Sequence, residues 1–173
     1  ESVPTDYTTP PPQILHELFA AMVGAEVTHC VMEVSSQGLA QHRVADVPFA
    51  AAVLTNLTED HIEAHGSFEN YRAAKGLLFE SLPEDAPAVL NARDPQFRWF
   101  RSMTAGRVVG YGLWPIWADV QAEIGYTDLN GMQMRISTPD WHRVVQTELI
   151  GAFNAENLLA AAATGWALGV DVE

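Results

Sequence analysis

Two features of this sequence could carry metal chemistry: the pair Glu33 and His61, and, separately, Lys75. Glu33 stands at the end of an apolar run from His29 to Val34. His61 opens the stretch His61-Ile62-Glu63-Ala64-His65-Gly66. Lys75 follows among Ala73, Ala74, Gly76 and Leu77. A carboxylate and an imidazole can share a divalent ion or its water shell. A desolvated lysine has a lowered pKa, and its neutral amine can add carbon dioxide. The resulting carbamate is an oxygen-donor anion able to ligate magnesium. Each feature also has a plainer reading. Glu33 and His61 can be a helix-capping glutamate and a solvated loop histidine, which is the commoner outcome for such a pair. Lys75 can be a surface lysine whose stem covers apolar neighbours. Spacing alone does not choose between these. His61 and His65, four apart, would share a helix face as zinc ligands do. Gly66 follows at once, however, so the stretch reads as loop, and it lacks the His-Glu-x-x-His order of metalloproteases.

The elements that must position these residues read as follows. Residues 1–12 are rich in Pro and Thr and are not regular structure. Ile14, Leu15, Leu18, Phe19 and Met22 recur at helical spacing, and Gly24 is the expected C-cap. His29–Val34 is expected to be a strand, residues 36–48 a loop, and 49–55 a second, buried strand. Adjacent parallel strands would then carry Glu33 and His61 to one rim, beyond the carboxyl ends of the strands where ligands of open α/β sheets bind. Ser67 is a plausible N-cap for a helix that buries Phe68, Tyr71, Leu78 and Phe79. Ala88–Asn91 reads as a third strand, 95–103 as a helix and Val108–Tyr111 as a fourth strand. Residues 118–127, 131–138 and 142–150 alternate apolar and polar, joined by Asn130-Gly131 and Pro139-Asp140, both hairpin signals. An Ala/Leu-rich helix runs from Asn154 to Leu168 and closes at Gly169. The expected fold is α/β: a doubly wound, mostly parallel sheet with flanking helices and an antiparallel β meander.

Composition bounds the rest. The 173 residues suit one domain with its own core, and a 48% hydrophobic content is that of an ordinary globular chain. A net charge of −13 argues against a nucleic-acid partner, which needs a basic face. Anionic nucleotides remain possible, because a local loop or a magnesium ion can bind them. Cys30 is the single cysteine, so no internal disulfide forms, and a reducing cytoplasm is the simplest location. No signal peptide and no membrane-spanning apolar run are present, so a membrane partner is not expected. Neither a Gly-x-x-x-x-Gly-Lys-Ser/Thr loop nor a Gly-x-Gly-x-x-Gly loop occurs. If ATP is used, its phosphate loop lies outside these residues. No Gly-x-Ser-x-Gly elbow supports a serine hydrolase.

Four motifs then coincide: Glu33-Val-Ser35-Ser36-x-Gly38-Leu39-x-Gln41-x-Arg43-Val44; Thr55-Asn56-Leu57-Thr58-x-Asp60-His61; Tyr71-Arg-Ala-Ala-Lys75-x-x-Leu78-Phe79; and Gly151-x-Phe153-Asn154-x-x-Asn157. In order and spacing they resemble the Mur ligases, and more narrowly the E type, over nearly the whole chain. The resemblance implies the central, ATPase-type domain of an enzyme that adds the third amino acid to UDP-N-acetylmuramoyl dipeptide in peptidoglycan synthesis. It further implies that Thr8, Thr9, Ser35, Gln41 and Arg43 hold the sugar nucleotide. Glu33, His61 and a carbamylated Lys75 would serve magnesium, with Lys75 the catalytic residue, and Asn154 and Asn157 would lie near the base of ATP. The implied partners are the sugar-nucleotide dipeptide, ATP and an amino acid, either diaminopimelate or lysine. An N-terminal domain, the phosphate loop and a C-terminal domain are expected outside residues 1–173, leaving the isolated domain inactive. Four positions depart from the family pattern, the mildest being Ile62 for a usual Leu. Gln37 replaces a usual His, Glu63 a usual Asp, and Arg93, in Asn91-Ala92-Arg93-Asp94, the first Asp of Asn-x-Asp-Asp. Competing readings are a catalytically silent sugar-nucleotide-binding domain, another Mur-type or folylpolyglutamate-type ligase, and a metal hydrolase built on Glu33, His61 and His65.

Overall fold

The computed structural model describes residues 7–59 and 62–170. His61 lies outside the described residues, so its placement is not on view. The chain packs as two compact units, residues 1–47 with 59–78, and residues 48–58 with 79–173.

The first unit is helical. Helix α1 spans Pro12–Gly24, with Pro12 in the first turn, where a missing N–H is harmless. Its end differs from expectation. Gly24 is the last helical residue rather than the cap, and Glu26 takes the left-handed conformation at φ 57°. The amide of Val27 donates to Met22 and that of Glu26 to Val23, which satisfies the last carbonyls without a glycine. Residues 27–35 form no regular element and join no ladder among the described residues, so the strand expected at His29–Val34 is not observed. A strand needs a hydrogen-bonding neighbour as well as an apolar sequence, and Val31 is 99% exposed. The expected loop after it contains a short helix, α2 (Ser36–Ala40), capped by Ser35, whose Oγ accepts from the Gly38 amide at 3.1 Å. Part of the His61–Gly66 stretch is likewise helical, as α3 (Ile62–His65). Helix α4 (Phe68–Glu80) begins as predicted, with the Asn70 amide donating to Ser67 Oγ at 3.1 Å.

The second unit is a mixed six-stranded sheet in the order β1 (Ala52–Leu54), β2 (Ala88–Asn91), β3 (Val108–Leu113), β4 (Val120–Asp128), β5 (Gly131–Ser137) and β6 (His142–Thr147). β1 to β4 run parallel, and β4, β5 and β6 form the antiparallel meander that alternation indicated. Helix α5 (Phe97–Met103) connects β2 to β3. β3 and β4 are parallel yet joined by six residues, 114–119, where such crossovers usually need a dozen or more. The register explains this: Val120 sits opposite Tyr111, so the chain retraces only the last two residues of β3. Helix α6 (Ala152–Ala167) packs Ala155, Leu159, Ala160 and Ala163 into a core with Val109, Tyr111, Val120, Met132 and Met134. Its small residues let the helix approach the sheet closely. Gly169, at φ 72°, closes it as expected. No helix among the described residues is long and apolar enough to cross a membrane.

Candidate active site

In the first unit the predicted residues converge on Thr9, which is fully buried. Its hydroxyl donates to the Glu33 carbonyl at 3.2 Å and accepts from the Ser35 amide at 2.9 Å. Its carbonyl accepts from Arg43 Nη1 at 2.8 Å. Nε and Nη2 of Arg43 both donate to Gln41 Oε1, at 3.0 and 2.7 Å, and the guanidinium lies 4.6 Å from the centre of the Tyr7 ring. Thr9, Ser35, Gln41 and Arg43 therefore form one hydrogen-bonded knot, with exposed Thr8 beside it. Gly38 is required there. A Cβ at that position would come within 2.9 Å of Thr9 Cβ and Cγ2. The hydroxyl of Thr9 is used within the chain, whereas Thr8 and Gln41 face solvent.

Lys75 is half-buried on α4, between buried Ala74 and Gly76. Burial lowers the pKa of its ammonium from the ordinary lysine value, and the carboxylate of Glu33 partly offsets this. Glu33 itself is exposed. Among the described residues no three His, Cys, Asp or Glu side chains group as a metal site. His65 is engaged elsewhere. Its Nε2 lies 2.9 Å from Ser36 Oγ, and its ring centre is 5.5 Å from that of Tyr71. Gln37, where the family pattern has His, is exposed.

The second unit holds Asn154 and Asn157 on the first turns of α6. Asn154 Nδ2 donates to the Ile150 carbonyl at 2.9 Å, and Asn157 is exposed. Sequence reasoning did not assign a role to the polar cluster beneath them. Buried Asn91 donates to the Thr55 carbonyl at 2.8 Å and reaches Glu156 Oε2 at 3.4 Å, while Arg93 Nη1 lies 3.4 Å from Glu156 Oε1. The Tyr111 hydroxyl donates to the Leu54 carbonyl at 3.0 Å. Its pKa is pushed well above the usual phenol range by burial, then by the charges of Glu156 and Asp94. Asp94 accepts from the Leu57 amide at 2.6 Å and the Gln96 amide at 2.7 Å. These bonds fix the segment after β1 to the turn after β2. The available signal was the Asn91-Ala92-Arg93-Asp94 sequence, but its partners Thr55, Leu57 and Glu156 lie 36 and more residues away.

Asp94→Asn leaves one acceptor oxygen for two amides, of which that of Leu57 is buried. The variant is expected to lose about 1–3 kcal/mol of stability, with the thermal midpoint falling roughly 2–4 °C for each kcal/mol. An unchanged midpoint in a calorimetric scan would show that the Leu57 amide finds another partner.

A sequence model described as the Mur ligase middle domain matches residues 2–165. The chain belongs to this Mur ligase family. It is 44% identical over 178 residues to the UDP-N-acetylmuramoyl-L-alanyl-D-glutamate–2,6-diaminopimelate ligase of Geobacillus kaustophilus, a match covering 99% of this chain and 36% of that protein. The corresponding ligase of Cytophaga hutchinsonii is 39% identical, covering 99% and 34%. The chain thus spans about a third of the length of the curated Mur ligases it matches. A solved diaminopimelate ligase structure superposes with a TM-score of 0.86 at 29% identity, over 96% of this chain and 35% of that one. MurF ligase from Thermotoga maritima, solved in complex with ADP, shares the fold at a TM-score of 0.64 and 20% identity, over 81% of this chain and 32% of that one.

Proposed function

We propose that residues 1–173 are the central domain of an ATP-dependent, amide-forming ligase. It adds a third amino acid to UDP-N-acetylmuramoyl-L-Ala-D-Glu in the cytoplasm. The observation that carries this reading is the 44% identity across 99% of the chain to a ligase of that name. The names of the relatives favour diaminopimelate over lysine as the incoming amino acid. In this reaction a substrate carboxylate oxygen bonds to the γ-phosphorus of ATP, and ADP leaves. The amine of the amino acid then attacks the acyl carbon, and phosphate leaves.

The chain's own residues have defined tasks in this scheme. Thr8, Ser35, Gln41 and Arg43 hold the sugar nucleotide. Thr9 serves them through the frame that its hydroxyl and carbonyl build. Glu33, His61 and carbamylated Lys75 would hold magnesium, which neutralises phosphate charge when bound. The donor set suits that ion, because a carboxylate and a carbamate both offer hard oxygens. The lowered Lys75 pKa supports a neutral amine that can be carbamylated. Asn154 and Asn157 serve the base of ATP. The phosphate loop and further domains belong to the full-length protein, and the isolated domain is inactive.

The test is a ligation assay of the full-length protein with ATP, the UDP-linked dipeptide and either amino acid. Release of ADP and phosphate with formation of the UDP-linked tripeptide is expected, with diaminopimelate preferred. Sugar-nucleotide binding without turnover would point instead to a silent binding domain.

A further inference from the structure

We infer that Trp117, braced by Trp114, is a stacking wall for the adenine of ATP. The inference rests on the ATP-dependent reading above and adds residues to the base site of that reading.

The placement follows from strand direction. β1, β2 and β3 are parallel, so Leu54, Asn91 and Leu113 end on one rim of the sheet. The 114–119 loop starts on that rim, directly after Leu113. Helix α6 brings its first turns to the same rim. Glu156 meets Asn91 and Arg93 there, while at the other end of the helix the Ala167 carbonyl accepts from Arg107, next to the start of β3. The loop folds back beside Arg93. A Cβ on Gly112 would lie 3.4 Å from Ile116 Cγ2 and 3.6 Å from Arg93 Cγ. Asn154 and Asn157 flank Glu156 on α6.

The tryptophans on this rim differ from the others. Trp117 is 82% exposed and Trp114 53%, whereas Trp99, Trp141 and Trp166 are each partly buried. Phe153, on the first turn of α6, is 67% exposed. Large rings left in water at a ligand rim, rather than packed into the core, are suited to covering an apolar ligand face. The two tryptophan rings meet edge-on, with centroids 5.9 Å apart at 74°, which fixes the tilt of Trp117 and leaves it a free face. Stacking alone accepts any base. The amide of Asn157 offers a donor and an acceptor side by side, the pattern that matches the N6/N7 edge of adenine.

The experiment measures calorimetric affinities of the full-length protein and its W117A and W117F variants for magnesium-ATP, inorganic tripolyphosphate and the UDP-linked dipeptide. W117A is expected to weaken ATP about tenfold and W117F about threefold or less, since phenylalanine keeps a π-face. Tripolyphosphate, which has no base, should bind all three proteins equally, and so should the sugar nucleotide. Undiminished ATP affinity in W117A would overturn the inference, as would an equal loss for tripolyphosphate. Unchanged ATP binding together with a more expanded shape in small-angle scattering would assign the aromatic loop to docking another part of the polypeptide. Wild-type protein that binds no ATP at all would overturn the ligase reading itself, a result independent of the variants.

Discussion

Replacing Lys75 with alanine in the full-length enzyme is expected to abolish ligation, and short carboxylic acids are expected to restore part of it. In the proposed ligase, an ammonium at Lys75 would repel the magnesium assigned to it. As a carbamate Lys75 would carry the opposite charge and present oxygen donors. Carbamylation needs neutral amine, and an ordinary lysine with a pKa of about 10.4 offers little near neutral pH. Half-buried on α4 between Ala74 and Gly76, Lys75 has its pKa lowered by desolvation, and Glu33 offsets only part of this. Lowering the pKa raises the neutral fraction at a given pH, and that fraction falls as the solution is acidified. At limiting bicarbonate, activity should therefore drop toward low pH. Lys75→Arg should remain inactive, because a guanidinium does not take up carbon dioxide and stays charged. Full turnover by the Lys75→Arg enzyme would remove Lys75 from the metal site.

Arg43→Ala should weaken binding of the UDP-linked dipeptide by about tenfold or more while leaving ATP affinity nearly unchanged. A charged hydrogen bond to phosphate or carboxylate contributes about 1.5–3 kcal/mol, which corresponds to that range. The guanidinium is held in position by Gln41 Oε1, the Thr9 carbonyl and the Tyr7 ring, so little freedom is lost when a ligand arrives. Arg43→Lys should recover only part of the loss, since an ammonium lacks the planar fork. Calorimetry with both ligands decides the matter. Equal losses for ATP and sugar nucleotide, accompanied by a lower thermal midpoint, would mean that Arg43 acts by holding Thr9 in the fold.

The sequence by itself determined the elements whose signals are local. Alternation and the Asn130-Gly131 pair marked the β4–β5–β6 meander, Ser67 marked the start of α4, and Gly169 marked the end of α6. Each depends on a side-chain period or a backbone preference that operates within a few residues. The family resemblance named Thr9, Ser35, Gln41 and Arg43 together, and the structure joins the four by hydrogen bonds.

Only the tertiary structure decided matters that depend on a distant partner. His29–Val34 has a strand-like composition but joins no ladder among the described residues, because composition does not supply a neighbouring edge. Glu26, not Gly24, takes the left-handed turn, because the amides that follow α1 find their carbonyls there. The hydroxyl of Thr9 proved to be internal, bonded to Glu33 and Ser35 more than 20 residues away. Asp94, Asn91 and Glu156 form their cluster across up to 65 residues, a juxtaposition that follows from the parallel strand order and the course of α6 rather than from any local period.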